Sequence, residues 1–187
     1  MSSAAVIHRI TTSLEQAGII YMMAGSFASS YFGAPRTTAD IDFVVAATPE
    51  QIQKFLTLLP QSDYYFDVDT AIDAARRHDM FNVLDTVTGW KIDIIFQKQT
   101  PFGREELARR VPGVIEGVQV FVATPEDVII AKLGWAKMGG SLRQIEDVAG
   151  VLRVRGENID RPYIERWVKN LELAAQWKDA CRDAGIE

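Results

Sequence analysis

Two carboxylates one residue apart, at the head of an apolar run, constrain this chain more than any other feature. Asp40-Ile41-Asp42-Phe43-Val44-Val45 reads as a β-strand, in which alternate side chains share a face. Both acids then point one way while Ile41 points into a core. Two like charges so close repel, a costly arrangement unless a cation lies between them. Hard oxygen ligands with no Cys or His nearby suit Mg²⁺ or Mn²⁺. Upstream, an apolar run over residues 19–24 ends at Gly25-Ser26. Gly25 lets the backbone approach a ligand closely, and Ser26 opens a short helix whose free N–H groups favour an anion. That helix closes at the Gly33-Ala34-Pro35 turn, so an anion site and a cation site lie one short helix apart along the chain. The plain structural alternative is a helix N-cap at Ser26 and a solvated strand end at Asp40 and Asp42.

Periodicity supplies the surroundings. Residues 4–17 carry Val6, Ile10, Leu14 and Ala17 at helical spacing, and Gly18 suits a stop. His8 on that helix reads as a surface residue. Residues 19–24 form a first strand, apolar on both faces and therefore central. Thr48-Pro49-Glu50 caps a helix through Ile52, Phe55, Leu56 and Leu59. Tyr64-Tyr65-Phe66 is expected to be extended, residues 69–77 helical, and Asp63, Asp67, Asp69 and Asp73 a solvated face. Residues 81–87 and 90–96 read as antiparallel strands joined around Thr88-Gly89. Asp93 stands between Ile92 and Ile94-Ile95-Phe96, where an unpaired carboxylate is costly to bury. A salt bridge to Lys91 is one relief.

Further on, residues 102–110 read as a helix, Val111-Pro112-Gly113 as a break and residues 118–122 as a final strand. Helices are expected from Thr124-Pro125-Glu126, over residues 141–155 and over residues 160–184, the last capped by Asp160 with Pro162 just inside. Arg153, Arg155, Arg161, Arg166 and Lys169 make this end locally basic.

Composition bounds the function. A length of 187 residues suggests one domain, or one domain with a helical appendage. The balance of 48% hydrophobic and 24% charged residues is that of a globular protein. No apolar run approaches a membrane span, and the start lacks a basic-then-apolar signal pattern. A single cysteine, Cys181, excludes an internal disulfide framework and a cysteine zinc site, so a reducing cytoplasm is the expected compartment. The net charge of −5 argues against a broad nucleic-acid-binding surface but leaves room for a local basic groove.

The Gly-Ser turn, the gap after it and the Asp-x-Asp strand resemble the signature of the DNA polymerase β-like nucleotidyltransferase superfamily. Arg36-Thr37-Thr38-Ala39-Asp40-Ile41-Asp42 also follows the Arg-x-Thr-x-Asp-x-Asp form of its small bacterial members. The resemblance implies an α/β (α+β) fold: a small mixed sheet with helices packed behind it and a C-terminal helical segment. Residues 1–123 would be the catalytic core and residues 124–187 the segment closing a cleft. It implies transfer of a nucleoside monophosphate from a nucleoside triphosphate to a hydroxyl, with release of pyrophosphate. Asp40 and Asp42 would hold two Mg²⁺ or Mn²⁺ ions, Asp93 the catalytic one, and Gly25-Ser26 the terminal phosphates. Asp93 can also take the proton of the attacking hydroxyl. It fits the third-acid position better than Asp85, which belongs to the partner strand.

From Pro125 the chain is similar to abortive-infection-type and related members, through Pro125-Glu126-Asp127, Lys132-Leu133, Arg143 and Asp147-Val148. Lys132 and Arg143 then become candidates for the triphosphate or the acceptor. Glu146 stands where that group has Arg or Lys before the Asp. Arg36 either contacts a phosphate or holds its loop against a carboxylate. The acceptor stays open among an aminoglycoside-like or lincosamide-like drug, a tRNA end and a protein hydroxyl, as do the base and the oligomeric state. A non-catalytic nucleotide-binding regulator, a toxin–antitoxin component and a metal-binding structural domain are the competing readings.

Overall fold

The computed structural model describes residues 3–186. In chain order these form α1 (Ser3–Gln16), β1 (Ile20–Met23), α2 (Gly25–Phe32), β2 (Asp40–Ala46), α3 (Pro49–Thr57), β3 (Tyr64–Tyr65), α4 (Val68–Arg77), β4 (Met80–Asp85) and β5 (Lys91–Phe96). There follow α5 (Pro101–Ala108), β6 (Val111–Ile115), β7 (Val118–Val122), α6 (Pro125–Gly139), α7 (Leu142–Arg155), α8 (Arg161–Asn170) and α9 (Ala174–Ala184). They fall into two compact units: one holds the chain up to Ala24 and Thr38–Val122, the other Gly25–Thr37 and the chain from Ala123 onward. Helix α2, inserted between β1 and β2, thus belongs with the C-terminal helices.

The first unit is built on a seven-stranded sheet in the order β3-β4-β5-β2-β1-β7-β6. The β2–β5 and β1–β7 pairs are parallel and the other pairs antiparallel, so the sheet is mixed as expected. On one face lie Tyr21, Phe43, Val45, Val83, Ile92, Ile94 and Phe96, all buried. Tyr21 meets Phe43 and Phe121 edge-on, with ring centroids 5.9 and 6.0 Å away. Helices α1, α3 and α4 add buried stripes, among them Ile7, Ile10 and Leu14, Ile52, Phe55 and Leu56, and Ala71, Ala74 and Ala75. The scattered acids have ordinary structural work: Asp63 pairs with Arg9 at 3.0 Å, Asp67 caps α4, and Asp73 meets Arg77 one turn on.

Two sequence expectations fail here. Val111-Pro112-Gly113 is not a break but part of β6, at the edge of the sheet. An edge strand tolerates Pro because its missing N–H is not needed by a second neighbour. The hairpin to β7 turns at Glu116-Gly117, both with positive φ (52° and 79°), the pattern of a two-residue turn that follows strand twist. Nor is the segment over residues 160–184 one helix. It breaks between α8 and α9, where Glu172 takes φ 56° and Leu173 N–H donates to Val168 O at 2.8 Å, burying Leu173.

The second unit packs α2 and α6 to α9. Gly33 ends α2 against α7: a Cβ there would lie 2.8 Å from Val151 N and 2.9 Å from Gly150 C. Helix α6 starts at Thr124, whose hydroxyl accepts from Asp127 N–H and donates to Asp127 Oδ2 at 2.6 Å. Asp127 is fully buried, and Tyr163 of α8 donates to its Oδ1 at 2.6 Å. The basic residues at this end are largely engaged: Arg153 with Asp183, Arg155 over the Phe32 ring, Arg161 with Glu165, and Arg166 over Tyr163.

Candidate active site

The face of the sheet opposite Phe43 and Ile94 carries the acids. Alternation along β2 puts Asp40 and Asp42 on it, each half-buried. The parallel register sets Asp42 directly beside Asp93 and Asp40 beside Lys91. Three carboxylates and one ammonium therefore share one face of two neighbouring strands. Thr38 donates to Asp40 Oδ1 at 2.6 Å, which fixes that carboxylate at the mouth of the strand. Ala24 N–H donates to the Asp42 carbonyl at 2.9 Å, tying the end of β1 to the acid strand.

Asp93 is the most enclosed of the three, and its two oxygens differ. Oδ2 meets Lys91 Nζ at 2.9 Å, whereas Oδ1 is buried with no hydrogen-bond partner. The hydrogen bond to Asp93 raises the Lys91 pKa against the opposing pull of burial, and the charges of Asp93, Asp40 and Asp42 add to the rise. Asp85, the rejected alternative for the third acid, has its carboxylate taken up in the β4–β5 turn. Its Oδ1 accepts from Val87 N–H at 3.0 Å and Thr88 N–H at 2.9 Å.

These observations test the implied metal. Among the described residues no three acidic, His or Cys side chains converge into a ready-made metal cage. A carboxylate oxygen left buried and unsatisfied nonetheless costs about 1–3 kcal/mol or more, and a bound cation would relieve that cost. The donor set is all oxygen, which fits a hard divalent ion completed by ligands from outside the protein. The residues fit the group.

In the second unit, Gly25 opens α2 with φ 58°, a conformation that costs other residues roughly 1–2 kcal/mol. Ser26 is buried, and Arg36 donates to its hydroxyl. The same guanidinium grips Asp147 with two bonds, Nε to Oδ1 at 2.7 Å and Nη2 to Oδ2 at 3.0 Å. Lys132, buried on α6, donates to Asp147 Oδ2 at 2.7 Å and to Gln144 Oε1 at 3.1 Å. Burial pushes the Asp147 carboxyl up, but hydrogen bonds from Arg36 and Lys132, and then their charges, hold it below the usual carboxylate range. Arg36 and Lys132 thus meet on one buried carboxylate, with the Gly25-Ser26 turn attached through Arg36. Arg143 is exposed on α7 and takes no part in this cluster. Sequence reasoning missed the role of Asp147. The signal was there: a lysine inside the apolar run of residues 128–133 needs a carboxylate from elsewhere.

No family model matches the sequence, and no curated protein matches it with significance. Solved structures do match. An antigenic nucleotidyltransferase-like protein from Paracoccidioides brasiliensis superposes with a TM-score of 0.60 at 17% identity, over 94% of this chain and 92% of that one. The chain has the nucleotidyltransferase fold. ANT(2")-Ia in complex with adenylyl-2"-tobramycin matches with a TM-score of 0.61 at 14% identity, over 94% of this chain and 99% of that one. The lincosamide antibiotic adenylyltransferase LnuA, lincomycin-bound, matches with a TM-score of 0.53 at 10% identity, over 81% and 96% of the two chains. No helix among the described residues is long and apolar enough to cross a membrane.

Proposed function

We propose that this protein is a divalent-metal-dependent nucleotidyltransferase that moves a nucleoside monophosphate from a nucleoside triphosphate to a hydroxyl, releasing pyrophosphate. The observation that carries the proposal is the register of Asp42 beside Asp93 on parallel strands of a nucleotidyltransferase fold, with Asp93 Oδ1 buried and unsatisfied. Asp40, Asp42 and Asp93 would hold Mg²⁺ or Mn²⁺. Bound there, the metal supplies charge neutralisation for the phosphates and for the attacking oxygen. The acceptor hydroxyl attacks the α-phosphorus, and the bond to the bridging oxygen of the β-phosphate breaks. The proton of that hydroxyl passes to the Asp93 carboxylate. The Gly25-Ser26 turn binds terminal phosphates through backbone N–H groups, since the Ser26 hydroxyl already serves Arg36.

In this reading Arg36 and Lys132 act through Asp147, as supports of the turn, and Arg143 is the exposed cation left for the triphosphate or the acceptor. The adenylyl-tobramycin and lincomycin in two matching structures favour a small hydroxyl-bearing acceptor. The test is label transfer. The protein is incubated with each labelled triphosphate, Mn²⁺ and an extract containing RNA, protein and small molecules. Label should enter the small-molecule fraction with matching pyrophosphate, and Asp40→Asn/Asp42→Asn should lose it by several orders of magnitude. Triphosphate binding with no label in any fraction overturns the proposal.

A further inference from the structure

We infer that Lys91 is the resident counter-cation of the acid face, and that its ammonium leaves Asp93 for the nucleotide's phosphate oxygens when a divalent cation binds. The inference rests on the metal-dependent reading above. Its ground is a mismatch between the two ends of one ion pair. The Asp93 side chain is 9% exposed and fixed within β5, whereas the Lys91 side chain is 46% exposed, a flexible four-carbon stem with its charge at the tip. If the pair must part, Lys91 is the partner that moves.

The pair also leaves one buried oxygen of the face without a hydrogen-bond partner. Lys91 lies in register with Asp40, two residues from Asp93, and Asp93 lies in register with Asp42. One ammonium thus stands among three carboxylates, and it satisfies only Asp93 Oδ2 while Oδ1 has no partner. Without Lys91, Asp93 would lose the partner of its Oδ2 while lying in register with Asp42, which opposes folding in the absence of metal. With Lys91 in place, a divalent ion arriving at Asp93 meets a cation already bonded to the same carboxylate. Two cations on one carboxylate repel, so metal binds weakly until the ammonium has somewhere else to go. The triphosphate offers that place: its phosphate oxygens accept the ammonium and so free Asp93 Oδ2. Nucleotide and metal then favour one another's binding by a common factor, as linkage demands.

The experiment titrates Mn²⁺ alone into wild type, Lys91→Gln and Lys91→Arg, following free Mn²⁺ by its electron paramagnetic resonance signal. The titrations are repeated with a non-hydrolysable triphosphate, and triphosphate binding is measured in chelator. Lys91→Gln should bind Mn²⁺ alone about tenfold more tightly than wild type, because one positive charge has left the site. It should also bind metal-free triphosphate several-fold more weakly, and Lys91→Arg should resemble wild type. Unchanged or weaker Mn²⁺ binding by Lys91→Gln overturns the inference. Thermal unfolding gives a second readout: Lys91→Gln should melt below wild type in chelator, and Mn²⁺ should raise its Tm by more. A variant unfolded with and without Mn²⁺ also overturns the inference, since Lys91 is then a structural partner. If wild type binds Mn²⁺ in neither titration, the metal-dependent reading falls and this inference with it. If wild type binds Mn²⁺ and Asp42→Asn does not, while Lys91→Gln matches wild type, only the inference falls.

Discussion

Burying a lysine in an apolar helix face is costly unless its ammonium meets a carboxylate, and at Lys132 the carboxylate is Asp147. Arg36 completes the group from 111 residues away in sequence. That separation explains why Arg36 read equally well as a phosphate ligand or as a loop support: nothing local named its partner. For Asp93, by contrast, the salt bridge was legible, because a carboxylate inside an isoleucine run needs a partner and Lys91 stands two residues away. Asp147→Asn should cost about 3–5 kcal/mol in urea unfolding, since it removes the carboxylate that the buried Lys132 and the half-buried Arg36 share. The pH dependence has a definite sign. The folded Asp147 pKa is lowered, so its contribution is complete above the ordinary carboxyl value of 3.8 and is lost as pH falls through the folded value. Acid unfolding of wild type should therefore steepen below about pH 4, and Asp147→Asn should lack that component. An Asn variant as stable as wild type at neutral pH would show that the cluster contributes nothing.

Elements were most legible where period and punctuation agreed. Helix α3 has Thr48, Pro49 and Gln51 at its start, and the structure gives a full capping box there. Strand β6 was missed because Pro112 and Gly113 are breakers everywhere except at a sheet edge, and edge position is a property of the whole sheet. The division between α8 and α9 was missed because Glu172 takes a left-handed conformation that its residue type does not announce. The junction of α2 with α7 depends on the absent side chain of Gly33, whose Cβ would strike the backbone of α7. Gly33→Ala should therefore lower stability by about 1–3 kcal/mol, because backbone cannot rotate away as a side chain can. Gly134→Ala is the control on α6: its Cβ would meet nothing within 4 Å, and alanine should stabilise the helix by about 0.5–1 kcal/mol. Equal effects of the two substitutions in chemical denaturation would mean that the α2–α7 contact is loose.

At the scale of the whole chain, the sequence conveyed the class of fold because three acids and a Gly-Ser turn are local patterns. It conveyed less of the strand order, which depends on the parallel pairing of β2 with β5 across 51 residues from Asp42 to Asp93. In the proposed reaction a metal and a triphosphate would act as a single ligand system at the paired strands, and the consequence is thermodynamic. Whatever binds the folded chain and not the unfolded one stabilises it, by about 2.7 kcal/mol at a hundredfold excess over Kd. For a chain of this length each kcal/mol moves Tm by roughly 2–4 °C. A non-hydrolysable triphosphate with Mg²⁺ at that excess should therefore raise Tm by roughly 5–10 °C. Mg²⁺ alone should do far less, because the phosphates supply the oxygen ligands that Asp40, Asp42 and Asp93 do not. In Asp42→Asn the triphosphate should still raise Tm, through the Gly25-Ser26 turn, but adding Mg²⁺ should bring no further rise. Differential scanning calorimetry separates the terms. A shift that appears with triphosphate alone and is the same with Mg²⁺ would remove the metal from the acid face. No shift with any base, with or without Mg²⁺, would remove the nucleotide as well.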